Sequence, residues 1–261
     1  MTALTLHRTT LAFASLLLAS CGGGQSPPSD DIPVCQPPEC RPQPAPPVYS
    51  YPPVTNPTVP DSVTLDPMQP GNWEIGPIIE GTNYSSGVPL RPSYHPNGYS
   101  LGWVIDIPTN GKLGYVTMPS HSLKGKSKIT MRYRIEGDPS VVIKAASDTK
   151  FDGMLTLYFQ RQDDDWQATA STETSRWWAT FATKFPLKVD NQEHEIVAPL
   201  DGNWTAVMTS SAQNSPAAFE TAKASAGRIG FTFGGGTGYG HGIVAMAGGQ
   251  ARFVLTYFRV E

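Results

Sequence analysis

Only three cysteines occur in 261 residues, and all of them, Cys21, Cys35 and Cys40, fall within the first forty. The chain after them therefore has no thiol to serve as a catalytic nucleophile. No apolar run approaches the roughly 20 residues that a membrane-spanning helix needs; the run at residues 11–19 falls far short. His95, His121, His194 and His241 show no H-x-x-x-H metal spacing, and there is no G-x-S-x-G elbow. The glycine-rich stretch at residues 234–242 is followed by no G-K-[S/T]. Its continuation reads as a strand rather than a helix, which argues against phosphate binding. The acidic run Asp163-Asp164-Asp165 lacks the D-x-D-x-D-G spacing of a calcium loop, so no metal and no cofactor is expected. Charge is also scarce, at 16% of residues, with a net value of −3. Nothing resembles the basic stripe that a nucleic-acid partner demands.

Two of the cysteine contexts carry information. Residues 1–10 are polar with a single Arg8, a short apolar run follows, and it ends Leu18-Ala19-Ser20-Cys21. This resembles the lipobox of bacterial lipoproteins. The resemblance implies that residues 1–20 are a signal peptide and that Cys21 becomes lipidated at a new N-terminus. Several acyl chains on one residue would anchor a protein stably, at about 0.8 kcal/mol per buried methylene. Gly22 follows the cysteine, where Asp would signal inner-membrane retention, so the resemblance implies the outer membrane of a Gram-negative bacterium. Removal of residues 1–20 takes away Arg8 and no acid, leaving 18 basic against 22 acidic side chains.

Residues 22–60 hold 13 of the 25 prolines. Such a segment favours extended polyproline II and cannot bury enough surface to fold alone, so residues 21–61 are expected to be a disordered linker. Cys35 and Cys40 lie within it, with no histidine or further cysteine near them. Outside the cytoplasm such a pair is expected to form a small disulfide loop.

From about residue 62 the composition becomes that of a globular domain, and some 200 residues suffice for one all-β core. Strand-like runs bounded by turn signals recur at residues 100–107, 113–118, 128–136, 141–145, 194–199, 228–233, 242–246 and 251–260. One short helix is expected after Ser215, which can cap, with Pro216 in the first position.

The centre of the chain holds two further runs. Leu155, Leu157 and Phe159 alternate with Thr156, Tyr158 and Gln160. Trp177, Ala179 and Phe181 alternate with Arg176, Trp178 and Thr180. If the apolar sets face a core, Tyr158, Gln160, Arg176 and Trp178 share the opposite, solvent-facing side. Aromatic rings among hydrogen-bonding groups suit pyranose sugars, whose ring faces stack while their hydroxyls need polar partners. Trp177 is then a core residue and Trp178 a ligand platform. Arg132 and Arg134 alternate with Met131, Tyr133 and Ile135, and would extend this face if their strand joined the same sheet; a solvated outer face is the other reading. Tyr239 and His241 project from the glycine-rich loop and are placed to reach a ligand.

The strand count, the polar-aromatic face and the closing strand at residues 251–258 resemble jelly-roll carbohydrate-binding modules and galactose-binding-like domains. The expected fold is thus an antiparallel β-sandwich (jelly roll) over residues 62–261. The resemblance implies non-catalytic glycan binding at Tyr158, Gln160, Arg176, Trp178, Arg132, Arg134, Tyr239 and His241. The partners so implied are the membrane through the lipid and a polysaccharide. A second reading gives the same face to another envelope protein, because aromatics and arginine are enriched at interfaces too. Glycan hydrolysis is the weakest reading: the E-x-D-x-x-E string of jelly-roll hydrolases is absent, and Glu136, Asp152 and Glu173 would have to be collected by folding.

Overall fold

The computed structural model describes residues 65–261 except 184, 185, 209 and 247. The signal segment, Cys21, the proline-rich linker and the Cys35 and Cys40 pair lie outside the described residues.

Most of the regular structure in the described chain is in strands. In order they are β1 (Glu74–Gly76), β2 (Ile78–Ile79), β3 (Thr82–Asn83), β4 (Ser93–Tyr94), β5 (Trp103–Asp106), β6 (Tyr115–Pro119), β7 (Lys128–Gly137) and β8 (Val142–Ala145). They continue as β9 (Met154–Arg161), β10 (Arg176–Trp178), β11 (His194–Pro199), β12 (Thr205–Ala206), β13 (Ala226–Gly234), β14 (Ile243–Met246) and β15 (Ala251–Val260). The α-helix among the described residues is α1 (Pro216–Ala224), which starts at Pro216 after Ser215 as the sequence predicts, although the Ser215 side chain makes no capping hydrogen bond.

All pairings between strands are antiparallel. One sheet runs β1-β6-β13-β9-β10-β12 and the other β11-β7-β15-β5-β4, with two small ribbons beside them. Four strands of each sheet, β6-β13-β9-β10 and β11-β7-β15-β5, interleave along the chain in the strand order of a jelly roll. Strand β15, the last in the chain, lies between β7 and β5.

The two sheets meet through aromatic side chains. Phe231 of β13 contacts Trp103 of β5 and Phe253 of β15 at ring separations of 6.3 and 5.0 Å. Phe233 reaches Phe253 at 5.4 Å, and Trp73 packs on both Trp103 and Phe231. Each such pair adds about 0.5–1.5 kcal/mol beyond its burial. Where the six-stranded sheet extends toward β10 and β12, α1 supplies the cover. Phe219 packs against Trp177, Phe159 and Trp204 at 4.8–6.2 Å.

The alternation of β9 and β10 is realised as predicted. Leu155, Leu157, Phe159 and Trp177 are buried in this core. Register pairs Trp177 with Phe159, Trp178 with Tyr158 and Arg176 with Gln160. Phe181 departs from the pattern, since the strand ends at Trp178, the chain turns into a 3₁₀ segment at Thr180–Ala182, and Phe181 is exposed.

Candidate functional site

The face of the six-stranded sheet turned away from the core carries a grid of polar and aromatic side chains. Across it run Glu74, Thr117, Tyr158 and Trp178 in one row, Tyr115, Thr232 and Thr156 in a second, and Arg228, Gln160 and Arg176 in a third. Tyr158, Gln160, Arg176 and Trp178 thus stand side by side, as the alternation predicts.

This face is not open to solvent, however, and the expectation of an exposed platform is corrected. Tyr158 and Gln160 are fully buried, while Trp178 is 5% and Arg176 6% exposed. Two loops cover them. The loop of residues 162–175, between β9 and β10, brings Trp166 back over the sheet, and the glycine-rich loop of residues 234–242 brings Tyr239. Tyr115, Tyr158 and Trp178 form a second buried cluster, with Trp166, Val207 and Tyr239 packed against it. Tyr115 meets Tyr158 and Trp166 edge to face at 5.2 Å each, and Tyr158 meets Trp178 at 5.2 Å.

The backbone explains how each loop gets there. Trp166 adopts φ 66°, a left-handed conformation that is a genuine outlier for a bulky residue, and it folds the loop back so that the indole lies over Arg176 at 5.3 Å. Gly240 presses so close to Tyr115 that a Cβ there would collide with the ring and hydroxyl. The glycines serve close backbone approach between two strands rather than phosphate binding.

The polar groups under this cover are chained together. Tyr158 Oη donates to Gln160 Oε1 at 2.8 Å, and Gln160 Nε2 donates to Asp164 Oδ2 at 3.4 Å. Trp178 Nε1 donates to Thr232 Oγ1 at 3.1 Å, and that hydroxyl donates to the Tyr239 carbonyl at 2.6 Å. Arg176 Nη2 donates to the Gln167 carbonyl at 2.7 Å. Asp164 Oδ1 lies 3.3 Å from Arg176 Nε. The two atoms are misaligned for a hydrogen bond, and both are buried without one.

Burial dominates the local electrostatics. It pushes the Asp164 carboxyl up to about 6, against the pull of Arg176. It likewise raises the hydroxyls of Tyr115 and Tyr158, keeping both neutral. The three adjacent aspartates therefore have three separate fates. Asp163 pairs with Arg161 at the surface, Asp165 accepts the Gln167 amide at 2.9 Å, and only Asp164 turns inward.

Between the two loops and the start of β6 a cleft of about 340 Å³ opens onto this face. Tyr84, Lys112, Tyr115, Trp166, Arg176 and His241 line it. A second hollow of about 200 Å³ lies on the same face beside Thr156 and Tyr239. Larger hollows of about 500 and 550 Å³ lie elsewhere, one beside Met118, Leu123 and Phe258, the other around Tyr133 and the Asp190–His194 pair. The 340 Å³ cleft is the one in which three aromatic rings, of Tyr84, Tyr115 and Trp166, stand beside cationic side chains.

Arg176 and His241 thus line the cleft, with His241 exposed there, whereas Tyr239 lines the neighbouring 200 Å³ hollow. Tyr158, Gln160 and Trp178 form the packed floor beneath. Arg132 and Arg134 belong elsewhere, because β7 lies in the five-stranded sheet. Arg132 pairs with Glu195 at 2.7 Å and stacks over Tyr257, while Arg134 binds Glu136 at 3.0 Å. Both serve a solvated outer face. Tyr115, Lys112, Tyr84 and Trp166 escape the sequence reading as site residues. For Tyr115 the signal exists, since it and Thr117 alternate with buried Val116 and Met118. For Trp166 the signal is a tryptophan in a polar, acidic loop, where it has little reason to be exposed; for Lys112 and Tyr84 there is none.

No family model matches the chain, and neither a curated protein nor a solved structure matches it.

Proposed function

We propose that this chain is a lipid-anchored envelope protein, held in the outer membrane of a Gram-negative bacterium through Cys21, whose β-sandwich binds a glycan without processing it. The observation that carries the binding reading is the cleft over the six-stranded sheet. Its volume falls in the range of small-ligand sites. Rings of Tyr84 and Trp166 offer stacking surfaces there beside the buried Tyr115, and Lys112, Arg176 and His241 offer polar contacts. The carboxylates considered for hydrolysis do not converge on it. Glu136 is held on β7 by His95 and Arg134, Asp152 pairs with Lys144, and Glu173 sits in the covering loop. The nearest buried carboxyl, Asp164, is engaged by Arg176 and Gln160.

A glycan array probed with the full chain tests this reading. Binding is expected for the wild type and lost in Trp166→Ala, which removes a half-buried loop ring and not a core one. Retained binding in that variant places the site elsewhere. Capture of an envelope protein with no glycan bound favours the assembly role instead. The anchor is tested separately by Cys21→Ser, which should leave the precursor uncut and out of the membrane fraction; an unchanged mass and fractionation would refute it.

A further inference from the structure

We infer that the cleft takes an acidic glycan, with a sugar ring against the exposed aromatic wall and its anionic group between Lys112 and Arg176. The inference rests on the glycan-binding reading and narrows its ligand class. Among the residues lining the cleft are a lysine, an arginine and a histidine, and no Asp or Glu. The contrast with the whole chain is sharp, since acids outnumber bases there by 22 to 19. The hollow beside Met118 and Phe258 shares this charge balance through Lys126, Arg259 and His121, so the cleft is set apart by the rings of Tyr84, Tyr115 and Trp166 beside its cations.

The two cations are held in different ways. Lys112 pairs with no carboxylate among the described residues; its Nζ lies 5.9 Å from the ring centre of Tyr84, which is 48% exposed. An unpaired ammonium beside an open aromatic ring offers a charge and a stacking surface within one sugar's reach. Arg176 is the fixed partner. Its guanidinium is buried, sandwiched against Trp166, and tied to the Gln167 carbonyl, so little entropy remains to be lost when an anion arrives. Its only carboxylate neighbour, Asp164, lies beneath it and meets Nε without hydrogen-bond alignment. Charge-assisted contacts of this kind are about twice as strong as neutral ones.

The shared chemistry is a carboxylate or sulfate on a sugar, and the two sources are separated by the probes. Affinity of the full chain is measured for polygalacturonate, alginate and hyaluronate, for each of these after reduction of its carboxyls to alcohols, and for heparin. A uronate is expected to bind roughly ten-fold tighter than its reduced form, with the difference shrinking in high salt. Lys112→Glu, a half-buried position where folding should survive, is expected to remove that preference. Tighter binding of heparin than of any uronate supports the inference with sulfate as the anion. Equal affinity for a uronate and its reduced form overturns the acidic-ligand inference and leaves glycan binding standing. Acid-selective binding untouched by Lys112→Glu overturns it as well, by moving the anion site. Binding of neither acidic nor neutral polymers overturns both.

Discussion

The two sheets have outer faces that look alike in sequence and differ completely in surroundings. On β7, Arg132 and Arg134 alternate with apolar residues, and they reach water and nearby glutamates. On β10 and β13, Arg176 and Arg228 alternate in the same way, and they are 6% and 4% exposed. Arg228 spends its guanidinium on Thr117 at 2.9 Å and Glu74 at 3.3 Å, within the sheet face itself. The comparison teaches that alternation decides which side of a strand faces the core and is silent about what lies over the other side. Cover comes from loops, and here two loops convert one outer face into a second interior. Buried charge is tolerated there only because each group has a partner.

The comparison can be broken most directly at the tryptophans. If the second cluster is a true interior, Trp178→Ala should destabilise the domain by roughly 3–5 kcal/mol, as Trp177→Ala should from the main core. Chemical denaturation of both variants decides it. A wild-type midpoint for Trp178→Ala would mean that the loops do not close over the sheet.

A somewhat smaller effect is expected from pH. The Asp164 carboxyl titrates near 6 in the folded protein against an ordinary value of 3.8. A raised carboxyl binds its proton more tightly folded than unfolded, so its stabilising contribution is complete below pH 4 and disappears as pH rises through 6. Between pH 4 and pH 7 the wild type should lose roughly 2 kcal/mol relative to Asp164→Asn. Parallel pH profiles for the two proteins would show that the carboxyl is solvated.

The smallest effect belongs to the open face. Arg132→Ala breaks an exposed pair with Glu195, and exposed pairs contribute little, so its unfolding midpoint should match the wild type. A clear loss there would make the two faces more alike than their exposure indicates.

Much of the framework is legible in the chain. Period-two alternation locates the long strands, assigns Trp177 inward and Trp178 outward, and puts Trp178 and Tyr158 on one face. Ser215 and Pro216 mark the helix start. The sheet to which residues 128–137 belong is not legible, because strand partners are set by long-range pairing and not by local pattern. Nor are the two-residue and three-residue strands such as β3 and β12, which have too few positions to show a period. The cleft is half legible: Arg176 and His241 stand out, whereas Trp166 depends on a left-handed turn within a polar loop that no periodicity announces. Phe181 misleads, because a strand pattern continues in sequence past the point where the backbone has already turned.

Strand β15 has a consequence for the order of events in folding. It fills the slot between β7 and β5, with Leu255 beside Trp103 and Val260 beside Ile129. Until these last residues arrive, β5 and β7 have open edges and Trp103 and Phe231 lack Phe253. Contacts so distant in sequence make for slow folding, on the millisecond-to-second scale typical of such sandwiches. They also leave unpaired strand edges ready to join those of other chains. A chain broken off before residue 251 should therefore aggregate rather than fold.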